Sequence, residues 1–271
     1  MIKVIDKKDC CGCEACVQKC PKHCISFIPD AEGFYYPSVN LSACIDCHLC
    51  EKVCPVIQKG TEYLPVQTYA AFNPNDEERM NSSSGGVFTF VAKKILLQKG
   101  VVFGAMYDKK WNVVHNYTEN ISDLCKFRGS KYVQSRVGRS FAHVLNFLKE
   151  GRLVLFTGTP CQVKALKLFL KKDYDNLFTL DFVCHGVPSS KVWQQYLHEV
   201  LEKDDAEQSS AAGKNTVLSL SLKTASAIAD IAFRDKADYG WEKFCFVIRY
   251  TLQKSIFLFV PVTCHGTLFM L

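Results

Sequence analysis

Length, composition and charge already narrow what this protein can be. The chain has 271 residues, 48% of them hydrophobic, and a net charge of +6, so it is long enough to bury a sizeable core. The positive charge is modest and dispersed, and no nucleic-acid-binding motif is present. No apolar run approaches the roughly 20 residues that a membrane-spanning helix needs.

Fifteen cysteines raise the question of the redox compartment. A secreted disulfide scaffold uses cysteine at this density in short chains. The first residues, Met1–Asp6, contain no apolar stretch typical of a signal peptide. We therefore expect most cysteines to be thiolate ligands in a protein of the reducing cytoplasm.

Eight cysteines near the start repeat one spacing twice. Each run reads C-x-x-C-x-x-C-x-x-x-C-P, from Cys10 to Pro21 and from Cys44 to Pro55. This is the pattern of bacterial two-cluster ferredoxins, in which the fourth cysteine of each run reaches across to the other [4Fe–4S] cluster. The predicted ligands are Cys10, Cys13, Cys16 and Cys54 for one cluster, and Cys44, Cys47, Cys50 and Cys20 for the other. Two such clusters imply the relay of single electrons.

Zinc is the main alternative ligand for these thiols. Zinc knuckles use separated C-x-x-C pairs, not a triple run with Cys–Pro at its end, so the spacing favours iron–sulfur clusters. Cys11 and Cys24 lie outside the ligand spacing, and we expect that neither binds a cluster.

The predicted elements divide the chain into two domains. Residues 1–60 form an α+β ferredoxin-like domain for two [4Fe–4S] clusters, with short strands at Ile25–Phe27 and Gly33–Pro37 and a linker at Gln58–Pro65. Residues 66–271 form an α/β domain with a mostly parallel sheet, because short apolar strands alternate there with amphipathic helices.

The second domain begins with a helix that carries Val87, Val91 and Ile95 on one face. The strands predicted next are Val101–Ala105, Leu153–Phe156 and Leu177–Val183, and the helices are Ser140–Glu150, Cys161–Lys171 and Ser190–Glu202. A polar, low-complexity connection, Lys203–Asn215, follows. Further strand-like pieces are Val217–Leu222, Ile228–Phe233 and Phe244–Leu252.

A serine–glycine loop opens the first of these helices. Ser83, Ser84, Gly85 and Gly86 offer hydroxyl and amide groups at a helix N-terminus, where the helix dipole favours an anion such as a phosphate. An ordinary serine helix cap uses the same residue types. The two interpretations have about equal weight from the residues alone.

Two cysteines follow predicted strands in the α/β domain. Cys161 lies in the segment Gly158–Gln162, at the start of a helix, where a thiol is expected to have a lowered pKa. Cys184 lies in Cys184–Ser189, after the next strand. Each could be a small buried core residue, although their common position after strands makes a shared site plausible.

Five ordered motifs resemble one known family. They are Ser82–Phe88, Phe127–Ser135, Gly158–Gln162, Cys184–Ser189 and Phe233–Trp241. Together they look like the coenzyme F420 hydrogenase/dehydrogenase beta-subunit family, in its bacterial form with a fused two-cluster ferredoxin domain. The resemblance covers roughly residues 1–250.

The resemblance implies an FAD-binding α/β domain that moves electrons between iron–sulfur clusters and a hydride carrier, which is the deazaflavin F420 in archaeal members. It implies a flavin site at Ser83, Ser84, Gly85, Gly86, Arg128, Lys131 and Tyr132, and makes Cys161 and Cys184 candidate ligands of a third cluster. Relatives continue beyond the last motif with a C-x-x-C-like pair, so this chain looks shortened at its C-terminus. We therefore expect two clusters and a weak flavin site, with Cys245 and Cys264 as the nearest substitutes for the missing thiols.

The combined interpretation is an iron–sulfur flavoprotein oxidoreductase subunit. It would pass electrons between a small-molecule hydride carrier, FAD, two [4Fe–4S] clusters and a redox partner protein. One alternative is a ferredoxin-type carrier whose α/β domain only docks to a partner. Another is a family member in a reductive biosynthesis, such as that of surface polysaccharides, with a different hydride carrier. The residues that would catalyse hydride transfer cannot be identified from the sequence.

Overall fold

The computed structural model describes residues 1–58, 67–182, 184, 186–207, 243–250 and 254–261. Several predictions lie outside these residues: the strands at 217–222 and 228–233, residues 59–65 of the linker predicted at Gln58–Pro65, and Cys264. No helix in the described ranges combines the length and apolarity needed to cross a membrane.

The N-terminal head contains the same small motif twice. Its elements are α1 (Ala15–Lys19), β1 (Ile25–Pro29), β2 (Tyr35–Val39) and α2 (Leu49–Lys52). Each cysteine loop enters its helix through a residue in the left-handed backbone region, Glu14 before α1 and His48 before α2. Strands β1 and β2 pair antiparallel as a hairpin, which confirms the two predicted strands.

The remaining elements form the second domain. Its helices are α3 (Asp76–Met80), α4 (Val87–Leu97), α5 (Ser140–Lys149), α6 (Pro160–Leu170) and α7 (Ser190–Glu207). Its strands are β3 (Gln67–Thr68), β4 (Val101–Tyr107), β5 (Val113–Thr118), β6 (Val154–Gly158), β7 (Leu177–Phe182), β8 (Lys243–Tyr250) and β9 (Lys254–Pro261). The predicted helices α4, α5 and α6 are confirmed within a few residues at each end. Helix α7 continues to Glu207, so the prediction that the connection begins at Lys203 is wrong.

Seven strands form one mixed sheet in the order β3-β9-β8-β7-β6-β4-β5. The central strands β4, β6 and β7 are parallel to each other, whereas β5 and β8 run antiparallel to their neighbours. Most strands therefore point in one direction, as predicted. Strand β5 was not predicted, because its alternation of apolar and polar residues is short and ends at Thr118.

The main core lies between the sheet and helices α5 and α6. Phe103, Phe141 and Phe156 are fully buried there, and Phe141 packs its ring 5.7 Å from that of Phe156. Cys13 and Ala15 of the head belong to the same buried cluster. The head and the α/β domain therefore share part of one core.

Polar contacts fix the head on the α/β domain. Glu14 is 3% exposed and accepts hydrogen bonds from Arg136 Nε and the Gly138 amide. Gln18 Oε1 accepts from the Phe141 amide at 3.1 Å, so a head side chain caps the N-terminus of α5, whose own N-cap residue gives no side-chain hydrogen bond.

Candidate functional site

The first group of thiols lies at the junction of the two domains and is called here the inner thiol set. It contains Cys10, Cys13, Cys16 and Cys54. Burial, together with the nearby Cys10 and Cys54 thiols, raises the pKa of Cys16 to about 12. Burial raises the pKa of the Cys10 thiol, and the nearby Cys54 thiol raises it further. Cys54 of the second run thus acts electrostatically on two thiols of the first run, Cys10 and Cys16.

The second group, called here the outer thiol set, surrounds a surface cavity. Its members are Cys20, Cys44, Cys47 and Cys50, and all of them line the cavity. Cys47 is exposed and Cys50 is buried. The Ile2 amide donates a hydrogen bond to Cys50 Sγ at 3.1 Å, which is the kind of N–H···S contact that tunes iron–sulfur clusters.

Cys20 is set apart by its hydrogen bonds. Burial alone would raise its pKa, but the Cys24 backbone and thiol and the Lys22 and His23 amides lower it below the usual value. These donors favour the thiolate, the form that binds a metal. Cys24 Sγ lies 3.4 Å from Cys20 Sγ and lines the same cavity, so it borders the outer set while standing outside the ferredoxin spacing.

Within the described residues, no three His, Cys, Asp or Glu side chains converge in the geometry of a single-ion site. A cubane instead spreads four thiolates around a larger object of four irons and four sulfides. The donor chemistry and grouping of the inner and outer sets fit that object.

The structure brings together the two segments predicted to hold a flavin. The Ser130 amide donates a hydrogen bond to Ser83 Oγ at 2.7 Å, which joins the serine–glycine loop to the segment 128–132. Gly86 is the N-cap of α4, and no side chain caps this helix. Ser82 Oγ instead donates to the Glu78 carbonyl at 2.6 Å. The serine-cap interpretation is therefore wrong for α4, and the N-terminus of a long helix is left without a side-chain acceptor.

Positive charge gathers beside this loop. Burial lowers the pKa of Lys131 to about 8, and its Nζ donates to the Arg128 carbonyl at 2.7 Å. Arg128 Nε is buried without a hydrogen-bond partner. Tyr132 is 47% exposed and could pack on a ligand. An amide-rich helix start, a buried guanidinium nitrogen without a partner and a half-buried ammonium fit an anionic, phosphate-bearing cofactor.

The two glycines of the loop pack against the protein itself. A Cβ on Gly85 would lie 3.3 Å from the Ala71 carbonyl oxygen and 3.6 Å from Phe72 Cα. Gly86 has φ 73°, a conformation that favours glycine. Gly85 is thus constrained by its own chain, and the hydroxyl groups of Ser82 and Ser83 already take part in hydrogen bonds within the protein.

His115 is a buried polar residue near this site that the sequence did not reveal. Its Nε2 lies 3.1 Å from the Thr157 carbonyl oxygen, and its Nδ1 is buried without a partner. Burial, with a smaller contribution from the Lys131 charge, lowers the pKa of His115 to about 4. It is therefore neutral at physiological pH. The signal was missed because His115 belongs to the unpredicted strand β5.

Cys161 occupies the first turn of α6, as predicted. Thr159 and Gln162 form a reciprocal capping box around this turn. Thr159 Oγ1 lies 3.0 Å from Cys161 Sγ. The predicted lowering of its pKa is wrong: hydrogen-bonding contact with the Cys11 thiol, then burial, raise the pKa of Cys161. Cys184 is exposed; burial, with a smaller contribution from Cys161, raises the pKa of its thiol.

Two family models match this chain. Residues 151–255 match the C terminus of the coenzyme F420 hydrogenase/dehydrogenase beta subunit, and residues 9–57 match a 4Fe-4S dicluster domain. The second match covers both cysteine runs, and the first covers β6, α6, β7 and α7 and extends beyond β8.

Curated relatives match parts of this chain. One subunit of the F(420)H(2) dehydrogenase of Methanosarcina mazei is 25% identical over 176 residues, which are 61% of this chain and 50% of that protein. An uncharacterized protein of Methanocaldococcus jannaschii is 26% identical over 210 residues, 65% of this chain and 56% of its own. An uncharacterized ferredoxin of the same organism is 33% identical over 52 residues, 19% of this chain and 66% of its own.

This chain thus spans about half the length of the first two relatives. The matched ranges include three of the five motifs that carried the resemblance, Gly158–Gln162, Cys184–Ser189 and Phe233–Trp241, whereas Ser82–Phe88 and Phe127–Ser135 lie outside them. Residues 151–255 of this chain are therefore similar to the C terminus of the coenzyme F420 hydrogenase/dehydrogenase beta subunit, and its head is similar to a 4Fe-4S dicluster domain.

Proposed function

We propose that this protein is an oxidoreductase subunit that passes electrons between a small-molecule hydride carrier and a partner protein, through FAD and two [4Fe–4S] clusters. A bound flavin would convert the two electrons of a hydride into single electrons, which cubane clusters carry one at a time. The relative from Methanosarcina is named a dehydrogenase of reduced F420, so a deazaflavin is the first hydride carrier to test.

The inner set would hold one cluster and the outer set the other. This assignment is supported by the proximity of Cys54 to Cys10 and Cys16 and by the cavity that Cys20 shares with Cys44, Cys47 and Cys50. We leave Cys161 and Cys184 outside both ligand sets. A protein with this many metal thiolates belongs in a reducing compartment such as the cytoplasm.

The flavin would bind where the serine–glycine loop meets the segment 128–132. Ser83, Ser84 and the α4 amides would hold the pyrophosphate, with Arg128 and Lys131 balancing its charge. Tyr132 would pack against the cofactor. The hydrogen bond from the Ser130 amide to Ser83 Oγ and the unpaired Arg128 Nε support this placement.

The order of electron transfer follows from how the head is docked. Cys13 lies in the core shared with the α/β domain, whereas Cys47 is exposed on the cavity of the outer set. The inner cluster would therefore exchange electrons with the flavin, and the outer cluster with a partner protein. The docked head is the observation that carries the proposal, because a tethered head would give no fixed route.

Anaerobic mixing with hydride donors tests this function. Reconstituted protein is mixed with reduced F420 and, in parallel, with NADH or NADPH, while flavin absorbance and cluster paramagnetic resonance are recorded. We expect one donor to bleach the flavin first and to produce the reduced-cluster signal afterwards. Clusters that accept electrons from dithionite but from none of the donors, in protein that binds no flavin, would favour the ferredoxin-type carrier instead.

A further inference from the structure

A large aromatic side chain stands exposed beside the serine–glycine loop. Phe72 is 56% exposed, and a Cβ on Gly85 would lie 3.6 Å from the Phe72 Cβ atom. Single exposed apolar residues are common on protein surfaces and need no function. Phe72 differs from them because a neighbouring cation and several hydrogen bonds hold it against the loop that is proposed to bind the cofactor pyrophosphate.

The backbone next to Phe72 is tied to this loop. The Asn73 amide donates a hydrogen bond to the Gly85 carbonyl at 2.7 Å. The Asn73 side chain is buried, and its Nδ2 donates to Glu78 Oε2 at 2.9 Å. Glu78 also forms an ion pair with Lys93 of α4. The position of Phe72 relative to the loop and to α4 is therefore fixed.

Arg79 supports the Phe72 ring. Its guanidinium carbon lies 5.3 Å from the ring centroid, within cation–π range. The guanidinium is itself held, because Nη1 donates to the Asn73 carbonyl at 3.0 Å and Nη2 pairs with Asp76 at 2.5 Å. A half-exposed ring backed by a fixed cation is a suitable platform for a planar ligand, because nucleobases stack on aromatic side chains.

A second exposed aromatic residue lies on the other side chain segment of the proposed flavin site. Tyr132 belongs to the segment 128–132, which is hydrogen-bonded to the loop at Ser83, whereas Phe72 contacts the loop at Gly85. The pyrophosphate of FAD joins two planar groups, the isoalloxazine and the adenine. Two aromatic platforms beside one phosphate site therefore match the two ends of this cofactor.

Proximity to the head decides which end of the cofactor belongs to which platform. Gln134, two residues after Tyr132, lies so close to Gly12 of the first cysteine loop that a Cβ on Gly12 would overlap the Gln134 side chain. The segment that carries Tyr132 thus continues to the inner thiol set. The isoalloxazine has to exchange electrons with the inner cluster, so it belongs at Tyr132. The adenine is then left for the other platform.

We propose that Phe72 binds the adenine ring of FAD by stacking, with Arg79 as its support and with the isoalloxazine at the Tyr132 end of the site. The proposal rests on the proposed function for the identity of the cofactor. It makes Phe72 a residue that selects FAD over FMN, because FMN contains the isoalloxazine and one phosphate but no adenine.

Comparison of FAD with FMN tests the adenine assignment. Flavin-free full-length protein with its clusters reconstituted is titrated with each flavin, and the flavin fluorescence is recorded. Phe72→Ala should weaken FAD binding by about tenfold or more and change FMN binding by less than about twofold, because only FAD loses a base–aromatic stack. ADP, which has the adenine and the pyrophosphate but no flavin, should displace FAD from the wild type and bind more weakly to Phe72→Ala.

Three further variants separate stacking from folding. Phe72→Leu keeps an apolar side chain without the ring and should lose FAD affinity as Phe72→Ala does, whereas Phe72→Tyr should retain it. Phe90→Ala is the matched control, because Phe90 is an exposed phenylalanine of α4 with Lys94 Nζ 4.9 Å from its ring centroid. It should bind FAD as the wild type does, and far-UV circular dichroism checks that all variants are folded.

Equal losses of FAD and FMN affinity in Phe72→Ala would overturn the proposal, because Phe72 would then act on the flavin ring, the phosphate or the fold. Unchanged FAD affinity would overturn it as well. If NADH binding fell in that variant while FAD affinity held, the platform would belong to the hydride carrier and not to FAD. A wild type that binds ADP through Phe72 but binds no flavin would contradict the proposed function and support the adenine platform.

Discussion

The carboxylate of Glu14, in the ferredoxin-type head, is paired with the guanidinium of Arg136 in the α/β domain. Glu14 is almost fully buried and also accepts the Gly138 amide, while Arg136 lies over the Tyr35 ring with its guanidinium carbon 4.2 Å from the ring centroid. One acidic residue thus connects the first cysteine loop to the segment leading into α5. The head is held at a fixed position through this pair.

We expect Glu14→Ala to lower the free energy of unfolding by about 2–3 kcal/mol, somewhat below the roughly 3–5 kcal/mol of a fully buried pair because Arg136 is partly exposed. Denaturant unfolding followed by far-UV circular dichroism measures the change. The control is Glu77→Ala, which removes an exposed carboxylate of α3. Similar unfolding midpoints for the two variants would show that the Glu14 contact does not stabilise the docked head.

Cys47→Ser should remove one of two low-potential cluster signals and leave the other. Cys47 is an exposed member of the outer set, so its replacement should disturb the inner set little. Electron paramagnetic resonance of dithionite-reduced protein and iron quantitation measure the result. Cys24→Ala is the control from the same cavity and should keep all its iron, as should Cys11→Ala. Iron loss in either control variant would mean that the ligand set is wrong.

Lys131→Met should weaken FAD binding about tenfold, equivalent to about 1.4 kcal/mol. The half-buried ammonium lies beside the serine–glycine loop and donates a hydrogen bond to the Arg128 carbonyl. Titration of flavin-free protein with FAD, followed by flavin fluorescence, gives the affinity. Lys126→Met is the matched control, because Lys126 pairs with Asp123 at 2.6 Å away from the loop. Equal affinities in the two variants would place the cofactor elsewhere.

FAD affinity should fall as the pH rises through about 8. Burial lowers the pKa of Lys131 from 10.5 to about 8, so the side chain is charged below that pH and neutral above it. A bound pyrophosphate would raise this pKa, and affinity therefore declines with loss of the proton. The affinity of Lys131→Met should be nearly constant over the same range. A pH dependence unchanged by the substitution would assign the titration to another group.

Local patterns predicted much of this fold. The ferredoxin spacing identified the thiol-rich head, and apolar periodicity located α4 to α7 and the central strands β4, β6 and β7. Strand β5 was missed because Val113–Thr118 mixes polar residues into a short edge strand paired on one side to β4. His115 of this strand is buried because of tertiary packing, which a local sequence pattern does not contain.

The relationships between distant residues could not be predicted from one sequence. Glu14 and Arg136, and also Ser83 and Ser130, join segments whose proximity depends on the whole fold. The pKa of Cys161 illustrates the consequence: its place in the first turn of α6 suggested a lowered value, whereas the Cys11 thiol and burial raise it. Local chemistry identified the reactive residue, and its neighbour changed its properties.

The content of iron, sulfide and flavin in anaerobically purified protein tests the central claim most directly. Two [4Fe–4S] clusters predict about eight irons and about eight sulfides per chain, together with FAD that is retained or taken up on reconstitution. About twelve irons would mean that Cys161, Cys184 or Cys245 completes a third cluster. Zinc in place of iron at the eight ferredoxin cysteines would contradict the account of this protein as an iron–sulfur electron-transfer subunit.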